Sequence, residues 1–378
     1  MQSLEGITVL ELHRFSPGQF CTMILADFGA TVIKVEEPLG LRFDDESELT
    51  RRASLNRGKK SVVLNLKSDR GRELYRALAQ QADVVVEGYR PGVLDRLGVG
   101  YQSLREANPG LVYCSISGFG QEGPYRDRAG HDINYLSLSG FIDLTGEPGR
   151  RPTSPGLQMA DIAGGGMPAA IGVLLALVGR LRTGQGQQVD VSMHDGAVSW
   201  LLAQLDSVLA GSVRTRGDSG ISGRNPNYGI YETKDGRYLS IGALEPWFWE
   251  RLCDVLDVPE LKAAAYAADT RERLQRTFRE RTLAEWDALL GGEDVCYAPV
   301  LSPLEVLQND HLLARGSVRG YPPPAGRRAI GPIVKLTETP GQSDAPAPHR
   351  GEHTDRLLHG LGVSDAELAR LRETGAIQ

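Results

Sequence analysis

What most limits the folds open to this chain is an alternation of short apolar runs with helix-forming segments, beginning close to its first residue. Residues 7–12 read as a buried strand. Ser16-Pro-Gly-Gln19 then has the form of a capping box with proline at the first helical position, so a helix should run to about residue 28. Gly29 can close that helix in a left-handed C-cap, and residues 31–35 supply the next apolar strand. Strand, helix and strand in this order pair their strands in parallel. Residues 61–66, a helix from about 68 to 81, and the runs 84–87 and 111–117 continue the pattern, which predicts a doubly wound, Rossmann-like α/β domain.

A further helix after Asp161 to about residue 182, a strand at 188–191 and a helix from about 192 extend this domain. The composition then changes. Residues 214–227 are polar and glycine-rich, 228–233 and 237–242 flank the turn Lys234-Asp-Gly236 as a β-hairpin, and Glu245-Pro246 opens a helix. Helices over about 271–290 and 302–315 follow, with Trp286 a core residue. The expected division is a large domain over 1–213, a linker over 214–227, a smaller α+β domain over 228–320, and a return segment over 321–378 whose last helix, 364–374, packs on the large domain.

With 378 residues, 41% hydrophobic and 24% charged, the chain can bury two cores. A net charge of −6 is no footprint for nucleic acid. The longest apolar run, 167–178, is short for a bilayer and the N-terminus lacks the pattern of a signal peptide, so the expectation is a soluble, cytoplasmic protein with no membrane partner. Cys21, Cys114, Cys253 and Cys296 form no CxxC pair and read as buried thiols in a reducing compartment. His349 and His353 stand at i,i+4, but in a proline-rich polar stretch that reads as a solvated tail, so no metal site is expected.

Chemistry concentrates between Ala129 and Gly166. One imidazole, His131, and one carboxylate, Asp161, each stand where a loop turns into a helix. Such a pair can exchange a proton with opposite faces of one carbon; each residue alone could equally be an ordinary helix cap. Gly118-Phe-Gly-Gln-Glu-Gly123 satisfies G-x-G-x-x-G, but Pro-Tyr-Arg-Asp-Arg after it offers no helix to face a pyrophosphate. Its glycines read as a loop that delivers His131. Between residues 51 and 76 nine basic side chains face two acidic ones. The part from Lys67 to Arg76 suits the wet face of a helix, whereas Asn56-Arg-Gly-Lys-Lys-Ser61 could bring backbone N–H groups and charge to a phosphate.

The words Ala-Gly-His-Asp-Ile-Asn-Tyr and Ala-Asp-Ile-Ala-Gly-Gly-Gly, in this order and separation, resemble the α-methylacyl-CoA racemases of the class III CoA-transferase family (CaiB/BaiF type), and the likeness runs from Leu4 to about Gly360. The resemblance implies an interlocked homodimer acting on an acyl-CoA thioester, with His131 and Asp161 as an acid/base pair that interconverts R and S 2-methyl-branched substrates. It implies that the Asp132 amide helps hold an enolate oxygen and that Glu245 assists His131. It makes Arg57, Lys59, Lys60 and Arg90, the last in Tyr89-Arg-Pro-Gly92, candidates for the nucleotide end of CoA. No cofactor is implied beyond the CoA of the substrate. Glu37 stands where the racemases tend to carry a CoA-contacting arginine. The alternatives are CoA transfer between carboxylates, with Asp161 as nucleophile, and a non-catalytic acyl-CoA-binding protein. Against transfer, the formyl-CoA transferases lack this histidine and carry a glycine run where this chain has Gly223-Arg-Asn-Pro-Asn-Tyr-Gly229.

Overall fold

The computed structural model describes residues 1–38, 53–212, 216–217, 219–320 and 328–378. Arg51, Arg52, part of the expected linker and residues 321–327 lie outside them. Two compact units emerge: residues 1–139, 156–199 and 309–378 form one, and residues 140–155 and 200–308 the other. This differs from the division read from the sequence, because the chain crosses between units after Ser139, Pro155, Ser199 and Gln308, where no change of composition marks the step.

The first unit is built on six parallel strands: β1 (Thr8–Leu12), β2 (Thr31–Glu36), β3 (Lys60–Val63), β4 (Val84–Glu87), β5 (Val112–Ser117) and β6 (Gln188–Ser192). Their order, β3-β2-β1-β4-β5-β6, reverses direction between β1 and β4, as in a doubly wound sheet. Every residue of β4 and β5 is buried, so neither strand shows a polar face alternating with an apolar one, and Glu87, Ser115 and Ser117 are enclosed with the apolar residues. Helix α1 (Ser16–Asp27) ends as expected: Gly29 has φ +102°, its N–H donates to Ala26, and the Ala30 N–H donates to Leu25, closing the last carbonyls. Its start differs. Phe15 is the N-cap, and no capping box forms, because the Ser16 hydroxyl donates to Gln158 and the Gln19 amide to the Arg14 carbonyl.

Helix α2 (Asp69–Gln80) is capped by Ser68, whose hydroxyl accepts from the Gly71 N–H. Tyr75 and Leu74 of α2 share a core with Leu10, Val62, Leu104 of α3 (Tyr101–Ala107) and the C-terminal helices α10 (Thr354–His359) and α11 (Asp365–Glu373), through Leu358, Leu368 and Leu371. The chain end is sewn to the sheet by the Asn65 N–H donating to Ala376, 2.9 Å. The stretch holding His353 is likewise docked rather than solvated: its Nδ1 accepts from the Ser61 N–H at 3.3 Å, and the Gly351 N–H donates to the Ser61 hydroxyl at 2.8 Å. After Gly123 no helix begins until Asp132, so the glycine pattern at 118–123 is a loop.

Helix α5 (Met159–Thr183) is long and apolar enough, by length and composition, to cross a membrane, which the run 167–178 alone did not suggest. One reason for that composition lies in the fold: Ala169, Ala170, Val173, Ala176 and Leu177 are buried, and α5 packs on α1, β5 and β6. Its first turns are unusual. Residues 162–166 form a π-helical turn, and its glycines let backbones touch: a Cβ on Gly164 would stand 2.8 Å from the Met193 carbonyl oxygen, and one on Gly166 2.8 Å from that of Pro17.

The second unit has an antiparallel sheet β7-β8-β9, with β7 (Tyr228–Glu232) and β8 (Tyr238–Gly242) the expected hairpin and β9 (Tyr297–Pro299) its third strand. Its core joins Tyr231, Leu239 and Ile241 to Trp249 of α7 (Pro246–Val255), Phe278 of α8 (Thr270–Phe278) and Trp286 of α9 (Leu283–Leu290). Trp286 is core, and its Nε1 donates to the Phe278 carbonyl at 2.8 Å. Cys296, unlike the other three cysteines, is exposed.

Candidate active site

His131 is the N-cap of α4 (Asp132–Leu138), with extended backbone and an exposed side chain. Asn134, three residues on, closes the start of the helix: its Oδ1 accepts from the His131 N–H at 3.0 Å, and its own N–H donates to the His131 carbonyl at 2.8 Å. A helix leaves its first amides without intrahelical acceptors, and here these are Asp132 and Ile133. The loop before His131 is fixed from behind by Tyr135, whose hydroxyl donates to the Gly130 carbonyl at 2.6 Å. Glycine is required beside that ring, since a Cβ on Gly118 would lie 2.6 Å from the Tyr135 oxygen. Phe119 packs edge-on to Tyr135, with centroids 5.2 Å apart, and also against His194 of α6 (Met193–Ser199). Burial, with the negative charges of Asp161 and Asp132, pushes the Tyr135 hydroxyl up to about 12 against the opposing pull of Arg90, so it stays a neutral donor.

Asp161 is not an N-cap. Gln158 holds that position, and Asp161 stands at the third residue of α5, in the first turn, where a carboxylate is favoured by the helix dipole. It is buried, at 8% exposure. Its N–H donates to Asp132 Oδ1 at 2.9 Å, so the carboxylate that follows His131 caps the helix that carries Asp161. Its own Oδ2 accepts from Gln158 Nε2 at 2.8 Å. The two helix starts therefore form one hydrogen-bonded assembly, which holds His131, Asp132 and Asp161 on adjoining turns.

The basic candidates divide. Arg57 is buried and makes a bidentate pair with Asp27 (2.8 and 2.6 Å), with a third bond to the Ile330 carbonyl at 2.9 Å. Lys59 is enclosed, with Nζ 2.7 Å from Glu11 Oε2, 3.1 Å from the Gln19 carbonyl and 3.3 Å from Asn56 Oδ1. Both charges are thus spent tying β1, α1 and β3 together, and neither is turned outward toward a phosphate. Lys60 is half-buried and Arg90 is exposed. Glu37 accepts from the Tyr89 hydroxyl at 3.2 Å, which places the loop after β2 beside the Tyr89-Arg90 loop. Glu245 is the N-cap of α7 in the second unit, exposed and without a side-chain cap bond. Among the described residues no group of three or more His, Cys, Asp or Glu side chains is arranged to hold a metal ion.

Sequence reasoning missed Ser16, Gln158 and Tyr135. Gln158 could have been found from its place three residues before Asp161; the Ser16 contact, 142 residues apart in sequence, leaves no local trace.

A doubly wound sheet with an imidazole and a carboxylate on adjoining helix starts defines a class, and comparison with known proteins gives the class its membership. Residues 4–354 match the family model described as CoA-transferase family III, and the chain belongs to that family. It is 38% identical to the alpha-methylacyl-CoA racemase of Homo sapiens over 389 residues, covering all of this chain and 98% of that one. It is also 34% identical to the succinyl-CoA:glutarate CoA-transferase of Mus musculus over 399 residues, covering 100% and 91%. Among solved structures, a CaiB/BaiF family protein from Brucella suis superposes with a TM-score of 0.82 at 31% identity, covering 95% of this chain and 99% of that one. The relatives thus include racemases and CoA-transferases, both enzymes.

Proposed function

We propose that this protein interconverts the R and S forms of 2-methyl-branched acyl-CoA thioesters by 1,1-proton transfer. The observation that carries the reading is the Asp161 N–H to Asp132 bond, which locks the turn bearing the carboxylate against the turn that begins at His131. The proton on C2, beside the thioester carbonyl, is too weakly acidic for a side-chain base unless the enolate is stabilised. The Asp132 amide, at a helix start, is the proposed donor to that oxygen. His131 and Asp161 then act on opposite faces of C2: one removes the proton, the other returns one, and the roles reverse for the other epimer. Glu245 is proposed to assist His131. Lys60 and Arg90 are proposed to meet the CoA phosphates, with Arg57 and Lys59 shaping the loop from within. The chemistry so written needs no cofactor beyond the CoA of the substrate. A soluble, cytoplasmic location is proposed with it.

An interlocked homodimer is part of this proposal. Support comes from the outer face of α5, where Ile171, Leu175, Val178 and Leu181 are all at least half exposed. A row of large apolar side chains of that kind is the mark of a covered surface. The test of the function is deuterium incorporation at C2 in heavy water, expected from either epimer. A second reading, CoA transfer through a covalent Asp161 adduct, is favoured by the full-length likeness to the glutarate transferase. It predicts CoA movement to a free carboxylate and no C2 exchange.

A further inference from the structure

We propose that Gln158 is the positioning residue that orients the Asp161 carboxylate. The inference rests on the acid/base reading above. Gln158 is the N-cap of α5, and its carbonyl accepts from the Ile162 N–H at 3.0 Å. An N-cap side chain ordinarily accepts from the amide two or three residues on. At this helix that duty is taken over from outside, by Asp132 Oδ1 bonding the Asp161 N–H. The Gln158 side chain is thereby released to bond the side chain of that same third residue: Nε2 donates to Asp161 Oδ2 at 2.8 Å.

An amide can face a neighbour with either its oxygen or its nitrogen, and the network decides which. Here the hydroxyl of Ser16, buried at the start of α1, donates to Gln158 Oε1 at 3.0 Å. With the oxygen tied to α1, the NH2 group is directed at Asp161. This also accounts for the capping box that Ser16 fails to make: its hydroxyl serves Gln158 instead of its own helix. The consequence is chemical. Asp161 Oδ2 is held by a donor that neither gains nor loses a proton, so the orientation of this carboxyl does not depend on the titration of its holder. The titratable groups on the elements packed against it are His131, Asp132 and Tyr135 at α4 and His194 and Asp195 of α6. Tyr135, a neutral donor, has its hydroxyl engaged by the Gly130 carbonyl at 2.6 Å.

Two variants of the full chain test this, with C2 exchange in heavy water measured separately from the R and S thioesters. The face served by Asp161 is defined as the one lost in Asp161→Ala. Gln158→Met keeps the volume and removes the donor; exchange on the Asp161 face should fall about tenfold to a hundredfold, as for the loss of a hydrogen bond to a charged group. The His131 face and KM should stay within about twofold. Gln158→Glu keeps the shape but offers an acceptor; it should be as slow as Gln158→Met at pH 8 and recover as pH falls and the introduced carboxyl, once protonated, donates to Asp161. A merely structural role would move neither the face preference nor this acid rescue. Equal slowing on both faces, no slowing, or no recovery in acid overturns the inference while leaving the acid/base pair intact. A wild-type protein that exchanges neither epimer overturns the acid/base reading itself and the inference with it.

Discussion

Lys59→Met would leave the Glu11 carboxylate buried without its cation. Both side chains are completely enclosed, Nζ lies 2.7 Å from Oε2, and the Thr22 hydroxyl donates to the same oxygen at 2.6 Å. Burial holds the Lys59 amine below its ordinary value, although Glu11 pulls it upward. Burial alone would raise Glu11, but Lys59, Lys34 and Thr22 outweigh it and hold that carboxyl low. Removing one member of such a pair costs about 3–5 kcal/mol, whereas replacing both by apolar groups is often neutral or better. At a urea slope of about 2 kcal/mol per molar the single variant should lose roughly 2 M in its unfolding midpoint. Glu11→Met combined with Lys59→Met should recover most of it, since Thr22 keeps acceptors in the Gly18 and Gln19 carbonyls. The assay is far-UV circular dichroism, because all four tryptophans, Trp200, Trp247, Trp249 and Trp286, belong to the other unit and their fluorescence would follow that unit instead. An unchanged midpoint with a many-fold rise in KM for an acyl-CoA would refute the reasoning and return Lys59 to the phosphates.

Two further outcomes are expected. Burial pushes the Glu87 carboxyl from 4.5 up to about 7, with Asp95 and Asp190 adding to the shift and the Ser115 hydroxyl and Tyr89 N–H opposing it. The folded state therefore keeps a proton that the unfolded chain has lost, so this stability is present below about pH 4.5 and vanishes as pH rises through 7. Glu87→Gln cannot ionise, and its stability relative to wild type should rise by about 3 kcal/mol between pH 4.5 and 8 in urea titrations; a difference that does not vary with pH contradicts this. Arg90→Ala, and Lys60→Ala with it, should raise KM for acyl-CoA while leaving kcat nearly unchanged. Unaltered affinity at low salt would remove that loop from the nucleotide end.

The fold was legible where local chemistry decides it. Gly29 stops α1, Ser68 starts α2, and the consecutive valines of β4, with no polar residue alternating among them, state that both faces of the sheet are covered. The site was legible as two helix starts, His131 and Asp161, but not in its fine placement. Asp161 looks like an N-cap from sequence because a carboxylate before an apolar run suits that position. It stands three residues further in because Gln158 takes the cap and Asp132, 29 residues away, takes the amide. Arg57 and Lys59 look like phosphate ligands for a related reason. Their partners, Asp27 and Glu11, are 30 and 48 residues distant, and a run of cations does not reveal a carboxylate that the fold folds beneath it. The glycines of Ile-Ala-Gly-Gly-Gly also act at long range: a Cβ on Gly196 would lie 1.9 Å from the Gly164 carbonyl oxygen, so the turn that carries Asp161 sits against α6 backbone to backbone.

The most direct measurement of the central claim is C2 hydrogen exchange in heavy water by the wild-type protein and Asp161→Ala, from each epimer of a 2-methyl-branched acyl-CoA, with hydroxylamine added during turnover and the peptide bearing residue 161 weighed. The acid/base account predicts exchange from both epimers in the wild type, exchange surviving on one face only in the variant, and an unmodified Asp161 at full activity. Absence of exchange, together with an Asp161 adduct that forms and decays at the rate of CoA transfer, would contradict it.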